Sequence, residues 1–263
     1  MPDHPHTTDE FFVGYLPQMP PGIGRRTRAA AGLLAALALA FAVLAALTHA
    51  NPGDAAWDAE PASIEGLFLS RPTPMILRET PDGPRTVLLV GAGKCGAFGG
   101  YCVPGQDWRP AADAFDQRLV RASGTLLHRA GRAMLELDQG PRAVAVLDDP
   151  ARAAALAARV EPESPRLDPV AEGELVDAKC YLGAMKPGTG KAHRACAIRC
   201  IEGGVPAMIV DATGRGVLLE ADDGRAPLPQ TLRDLIGDVV RAEGAVRVVG
   251  DLHVLRVRSL KRR

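Results

Sequence analysis

Apolar positions along the chain follow two different periods. From Ala29 to Leu47 the run "AAAGLLAALALAFAVLAAL" carries no charged or polar side chain. At about 1.5 Å per residue, such a run reaches roughly 28 Å as a helix, close to the thickness of a bilayer's hydrocarbon core. A buried core helix of this length would show a polar face, and this run has none. The pattern predicts a transmembrane helix over residues 29–49. A cleaved signal peptide is the rival, with Thr48-His49-Ala50 as a loose cleavage site. The apolar stretch, however, exceeds the usual h-region of about 7–15 residues. From about residue 62 onward, short segments alternate apolar and polar side chains with period two, as half-buried strands do. Two helix-like segments among them, Pro110–Leu119 and Pro229–Asp238, begin with proline, which suits a first helical turn. An alanine-rich helix is predicted at roughly 151–160, capped by Asp148-Asp149-Pro150.

The strand-rich region repeats itself. "VRASGTLLHRAGRAMLEL" from Val120 aligns with "VRAEGAVRVVGDLHVLRV" from Val240. Upstream, "PMILRETPDGPRTVLLV" from Pro74 matches "AMIVDATGRGVLLEA" from Ala207, and "GLFLSR" from Gly66 matches "GELVDA" from Gly173. Each copy reads strand, strand, strand, short helix, strand, strand, the layout of an OB-fold barrel. The expected fold is therefore mainly β: one N-terminal transmembrane helix, then two tandem OB-like five-stranded barrels. Each barrel carries a short helix between strands three and four. The domains expected are a tail at 1–28, the membrane helix at 29–49, a first barrel at 62–140 and a second barrel at 169–263. Residues 141–168 hold the capped helix and a proline-rich stretch, "EPESPRLDP", expected to separate the barrels.

The repeat bears on one motif. Gly91-Ala92-Gly93-Lys94-Cys95-Gly96 follows a strand with the G-x-G-x-x-G spacing of a dinucleotide-binding turn. That turn must open a helix. Here Gly- and Pro-rich sequence follows instead, and no helix is expected before about Pro110. Gly91 to Trp108 reads as an elongated barrel loop. "GAMKPGTGK" imitates a phosphate loop but has Met185 where the first glycine belongs and Ala192 after Lys191.

Charge sets orientation and narrows the partners. Arg25, Arg26 and Arg28 precede the apolar run, and Asn51 to Glu60 carries only acidic charges. The positive flank stays cytoplasmic, so the expected location is a bacterial cytoplasmic membrane, with the barrels periplasmic or extracellular. The tail holds Phe11, Phe12, Tyr15 and Leu16, and Pro20-Pro21 are expected to stop any helix. It reads either as an interfacial segment with aromatic anchors or as a docking peptide for another membrane subunit. The chain balances 31 basic against 31 acidic residues and is poor in aromatics, which argues against a nucleic-acid partner. The partners expected are membrane lipid and other membrane redox subunits.

Five cysteines, Cys95, Cys102, Cys180, Cys196 and Cys200, then lie where disulfides are permitted. Cys95 and Cys102 form a candidate disulfide closing the Gly91–Trp108 loop. The other three sit in the largest difference between the repeats. The first copy joins its first two strands by "RPTP"; the second does so by Lys179 to Pro206. A helix is expected there, ending at Gly203. His193, Cys196 and Cys200 fall at i, i+3 and i+7, on one helical face. Cys180 ends the preceding strand, and a Pro187-Gly188 turn is placed to bring the chain back to it. Lys191, Arg194 and Arg199 surround the set with positive charge, favouring thiolates or an anionic ligand. Three readings stand open. The cysteines form a disulfide that pins the loop, Cys180, His193, Cys196 and Cys200 hold a metal or haem iron, or a thiol pair performs redox exchange. The spacing matches no standard zinc, haem-attachment or Rieske pattern.

"KCYLGAMKPGTGKAHRACAIRC", with the following Gly203-Gly204 and Pro206, resembles a motif of uncharacterised bacterial membrane-anchored proteins. The resemblance extends through the second barrel and to "FFVGYLPQMP" in the tail, and implies no activity. More distantly, a single anchor bearing an extracytoplasmic OB barrel is similar to the haem chaperones of cytochrome c maturation. Those attach haem through H-x-x-x-Y, whereas this chain ends "VRSLKRR", so the similarity is one of architecture. The expected function is non-enzymatic: an accessory or assembly subunit of a membrane redox system that binds a partner, metal or haem through the Cys180–Cys200 loop. The alternatives are a thiol-redox or electron-transfer protein cycling Cys196 and Cys200, and a purely structural disulfide-stabilised module.

Overall fold

The computed structural model describes residues 19–48, 55–98, 109–140, 142–160 and 170–263. The aromatic tail positions, Cys102 and the proline-rich stretch at 161–169 lie outside the described residues. The chain divides into two compact units, Met1–Asn51 and Pro52–Arg263.

In the first unit, helix α1 spans Pro21–Thr48. It starts earlier than the apolar run and takes in Arg25, Arg26 and Arg28. Pro21 opens the helix and does not stop it, because a first-turn residue has no intrahelical N–H bond to lose. The most apolar window of α1 has mean hydropathy 2.5 and none of it is buried. By length and composition α1 is fit to cross a membrane or to act as a signal sequence.

The second unit is mainly β. Its first half holds β1 (Ala56–Leu69), β2 (Met75–Thr80), β3 (Gly83–Val90), α2 (Arg109–Asp113), β4 (Leu119–Arg129) and β5 (Arg132–Leu137). The strands pair in the order β1-β2-β3-β5-β4, and β1 pairs again with β4. A short β6 (Val144–Val146), which the pattern did not reveal, extends the sheet beside β4. Helix α3 (Pro150–Ala157) follows, capped by Asp149 accepting from the Arg152 N–H. The second half holds β7 (Val170–Asp177), α4 (Arg194–Glu202), β8 (Ala207–Val210), β9 (Gly216–Glu220), α5 (Pro229–Leu232), β10 (Val239–Val249) and β11 (Leu252–Arg262). These strands close into a barrel, β7-β8-β9-β11-β10. Helices α2 and α5 are much shorter than the segments their opening prolines suggested. Both chains turn away after about one turn to enter β4 and β10.

Register follows the aligned sequences. Gly66 lies opposite Val120, and Gly173 opposite Val240. The third and fifth strands run parallel in both halves, with Leu89 beside Leu135 and Leu219 beside Leu255. At Gly124 and Gly244 a Cβ would stand 2.0 Å from the Glu136 carbonyl oxygen and 1.8 Å from that of Arg256. Strand crossing is that close at both positions, so only glycine fits.

Three apolar cores result. Phe68, Ile76, Leu89, Val120 and Leu135 fill the interior of the first strand set. Leu175, Ile209, Leu219, Val240 and Leu255 fill the second. The third core joins the two sets, with Leu67, Met75, Leu77 and Met134 packed with Val176, Met208, Leu218 and Val254. These residues alternate with the interior ones along the same strands, so β8 is buried at every position. Alternation with a polar face therefore fails for β2, β3 and β8. Their outer faces meet the other half instead of water. The halves are not separated. Thr86 donates from Oγ1 to the Val249 carbonyl at 2.5 Å and from its N–H to Asp251 at 2.8 Å.

Candidate functional site

The segment between β7 and β8 builds the site. Asp177 ends β7 fully buried, and its Oδ1 accepts the Cys180 N–H at 2.8 Å. That bond turns the chain into a single wide π-type turn, Cys180–Ala184. The other Asp177 oxygen lies 3.0 Å from His193 Nε2. His193 immediately precedes α4, which ends at Gly203 as the sequence predicts. The helix then presents Cys196 and Cys200, one turn apart, towards Cys180.

The three sulfurs converge. Cys180 Sγ is 3.7 Å from Cys200 Sγ and 4.0 Å from Cys196 Sγ. All three are thiols outside any disulfide, with Cys180 and Cys200 buried and Cys196 partly exposed. Their ligand atoms all lie within 4.8 Å of one another. His193 does not join this set. It forms a second one with Asp177 and Cys180, because the buried carboxylate holds its ring. Cys95 is disulfide-bonded, and its expected partner Cys102 lies outside the described residues.

The cation beside the sulfurs is one the sequence reading missed. Lys94, from the Gly91–Gly96 turn of the first strand set, donates to Cys196 Sγ at 2.7 Å. The three cations expected there face acids instead. Lys191 and Arg194 pair with Asp238, and Arg199 lies 3.4 Å from Glu202. The Gly91–Gly96 turn opens no α-helix among the described residues; a short 3-10 stretch begins at Ala97. The turn folds back through the Gly91 N–H donating to the Cys95 carbonyl at 3.0 Å. Gly96 then lies against the end of α4, where a Cβ would stand 2.5 Å from the Gly204 carbonyl oxygen. Buried Lys179 fixes the turn from below, donating to the carbonyls of Gly91 at 2.8 Å and Gly93 at 2.6 Å, and pairing with Glu136. Arg129 of β4 stacks over the Tyr181 ring at 4.3 Å. The pattern offered one hint of this: the loop after β3 is elongated only in the first copy.

Electrostatics divide the thiols. The hydrogen bond with Cys200, burial and the Asp177 carboxylate push the Cys180 thiol up. The Cys180 S–H donating to it, aided by Lys94 and Cys196, holds the Cys200 thiol below its usual value despite burial. The bond to Cys196 and the charge of the sulfurs raise Lys94. Within the buried pair, ionisation is thus favoured at Cys200 and opposed at Cys180. A cation among the sulfurs would remove that opposition.

No family model matches the chain, and no curated protein matches it.

Proposed function

We propose that this chain is a membrane-anchored accessory or assembly subunit of a membrane redox system, and that it holds a soft metal ion between Cys180, Cys196 and Cys200. In this reading α1 is the anchor, its arginine-bearing end is cytoplasmic, and the β unit lies outside. The two strand sets are tandem OB-like barrels of one plan. Their shared strand order, the parallel third and fifth strands and the matched glycine registers support that assignment.

One observation carries the metal reading: three thiols meet at separations of 3.7 and 4.0 Å. A metal–sulfur bond of about 2.3 Å implies sulfur edges of about 3.8 Å in a tetrahedron and about 4.0 Å in a planar triangle. Softness of the donors favours zinc or monovalent copper. Donors converging on one point suit a single ion better than haem, whose iron takes axial ligands on opposite faces. The split ionisation of Cys180 and Cys200 favours a second reading, dithiol exchange. There the Cys200 thiolate attacks a partner's disulfide and releases one partner thiolate. Cys180 then attacks the Cys200 sulfur of the mixed disulfide, forming a Cys180–Cys200 disulfide and releasing the second, so the partner's disulfide is reduced to two thiols.

The test is the mass of the full-length chain in detergent, native and then denatured without reductant. The metal reading predicts a native excess equal to one ion, with three alkylatable thiols after denaturation. Equal masses with one thiol left among Cys180, Cys196 and Cys200 would favour exchange or a structural disulfide.

A further inference from the structure

The metal reading leaves open which ion the sulfurs select, and the surroundings of the triad bear on that choice. A structural zinc site closes with four protein ligands. Among the described residues the donor set stops at three. No fourth His, Cys, Asp or Glu among those residues joins Cys180, Cys196 and Cys200 within 4.8 Å. The nearest candidate, His193, has Nε2 committed to Asp177 at 3.0 Å, and both side chains are buried. Turning the ring towards all three sulfurs would break that bond and leave the second Asp177 oxygen buried without its partner. On the open side stands Lys94, whose ammonium donates to Cys196 Sγ at 2.7 Å and has no lone pair to offer a metal. It is held there by the glycine turn and by the Lys179 clamp beneath it.

Resting on the thiolate-metal reading above, we infer that the site takes monovalent copper in a three-coordinate, all-thiolate shell, with Lys94 as its outer charge partner. Soft thiolates alone suit monovalent copper, which needs no fourth ligand. The Lys94 ammonium offsets part of the negative charge that three thiolates leave on a monovalent ion. It acts as a positioning residue on Cys196, and the first barrel thereby tunes an ion that the second barrel ligates.

The experiment loads the full-length chain in detergent, without oxygen, with monovalent copper and separately with zinc. X-ray absorption then reads each metal's shell. The inference predicts one copper with three sulfur neighbours and no nitrogen or oxygen neighbour. It also predicts that Lys94→Ala keeps that three-sulfur shell while weakening copper affinity about tenfold or more, measured against a competing chelator. A copper shell with a nitrogen neighbour, or with two sulfurs only, overturns the inference and leaves a thiolate metal site standing. So does a Lys94→Ala affinity equal to that of the unaltered chain. Failure to hold either metal overturns the metal reading itself.

Discussion

The β1–β2 and β7–β8 connections occupy the same place in two matching strand orders, yet they are opposites. Ser70 to Pro74 is a bare link, while Ala178 to Pro206 carries a turn, a helix and three thiols. The asymmetry reverses two connections later, after the third strand. The second half runs from β9 to α5 through Ala221–Leu228, whereas the first uses Gly91–Trp108, whose described part lies against the cysteine segment. Each half has lengthened a different loop, and the two lengthened loops meet. The site therefore belongs to the pair of halves, with sulfurs from one and the cation from the other. Neither lengthened loop has an equally long counterpart in the other half, which sets the site apart from the strands whose order and register match.

The largest effects are expected at the matched glycines. Gly124→Ala and Gly244→Ala each drive a Cβ into a partner carbonyl. Each should cost more than about 3 kcal/mol or prevent folding. Thermal unfolding followed by near-UV circular dichroism would read both. Tolerance at one position and not at the other would mean that the halves do not share a plan. Next comes the pair Ser70 and Asp177, which hold equivalent positions at the ends of β1 and β7. Asp177→Ala orphans the Cys180 N–H and His193 in the interior and should cost about 3 kcal/mol. Ser70→Ala should cost about 1 kcal/mol. Equal costs in denaturant unfolding would remove the special status of the cysteine segment.

The smallest effect is at the second hairpin turn. Asp211 accepts from the Thr213 hydroxyl and from the N–H groups of Thr213 and Arg215. The Thr213 hydroxyl leads in lowering its carboxyl to about 2, from an ordinary 3.8. A carboxyl depressed by folding stabilises the fold above its unfolded value and loses that contribution as pH falls through its folded value. Asp211→Asn should therefore flatten the loss of stability between about pH 4 and pH 2 and leave neutral-pH binding unchanged. An unaltered acid profile would show that the carboxylate contributes nothing there.

Much of the scaffold is legible in the sequence because its signals are local. The V-R-A-x-G segments, the cap at Asp149 and the end of α4 at Gly203 each need only neighbouring residues to be read. What the pattern hides depends on the other half. β8 and the Met75–Leu77 end of β2 look continuous in apolar side chains because both faces are covered there, and period two alone treats them as half-exposed. Cys180, Cys196 and Cys200 could be grouped by helical spacing, and the structure brings them together. His193 shared that spacing and yet turns to Asp177, because a carboxylate buried at the end of β7 outweighs its place on the helical face. Lys94 was out of reach altogether, 102 positions from the sulfur it touches.

The most direct test of the central claim is the metal content of three single variants of the full-length chain, Cys180→Ser, Cys196→Ser and Cys200→Ser, each purified in detergent beside the unaltered protein. Three thiols converging on one ion predict about one metal per unaltered chain and a comparable loss in all three variants. Retention of the ion by Cys196→Ser alone would reduce the site to the Cys180–Cys200 pair and contradict the account.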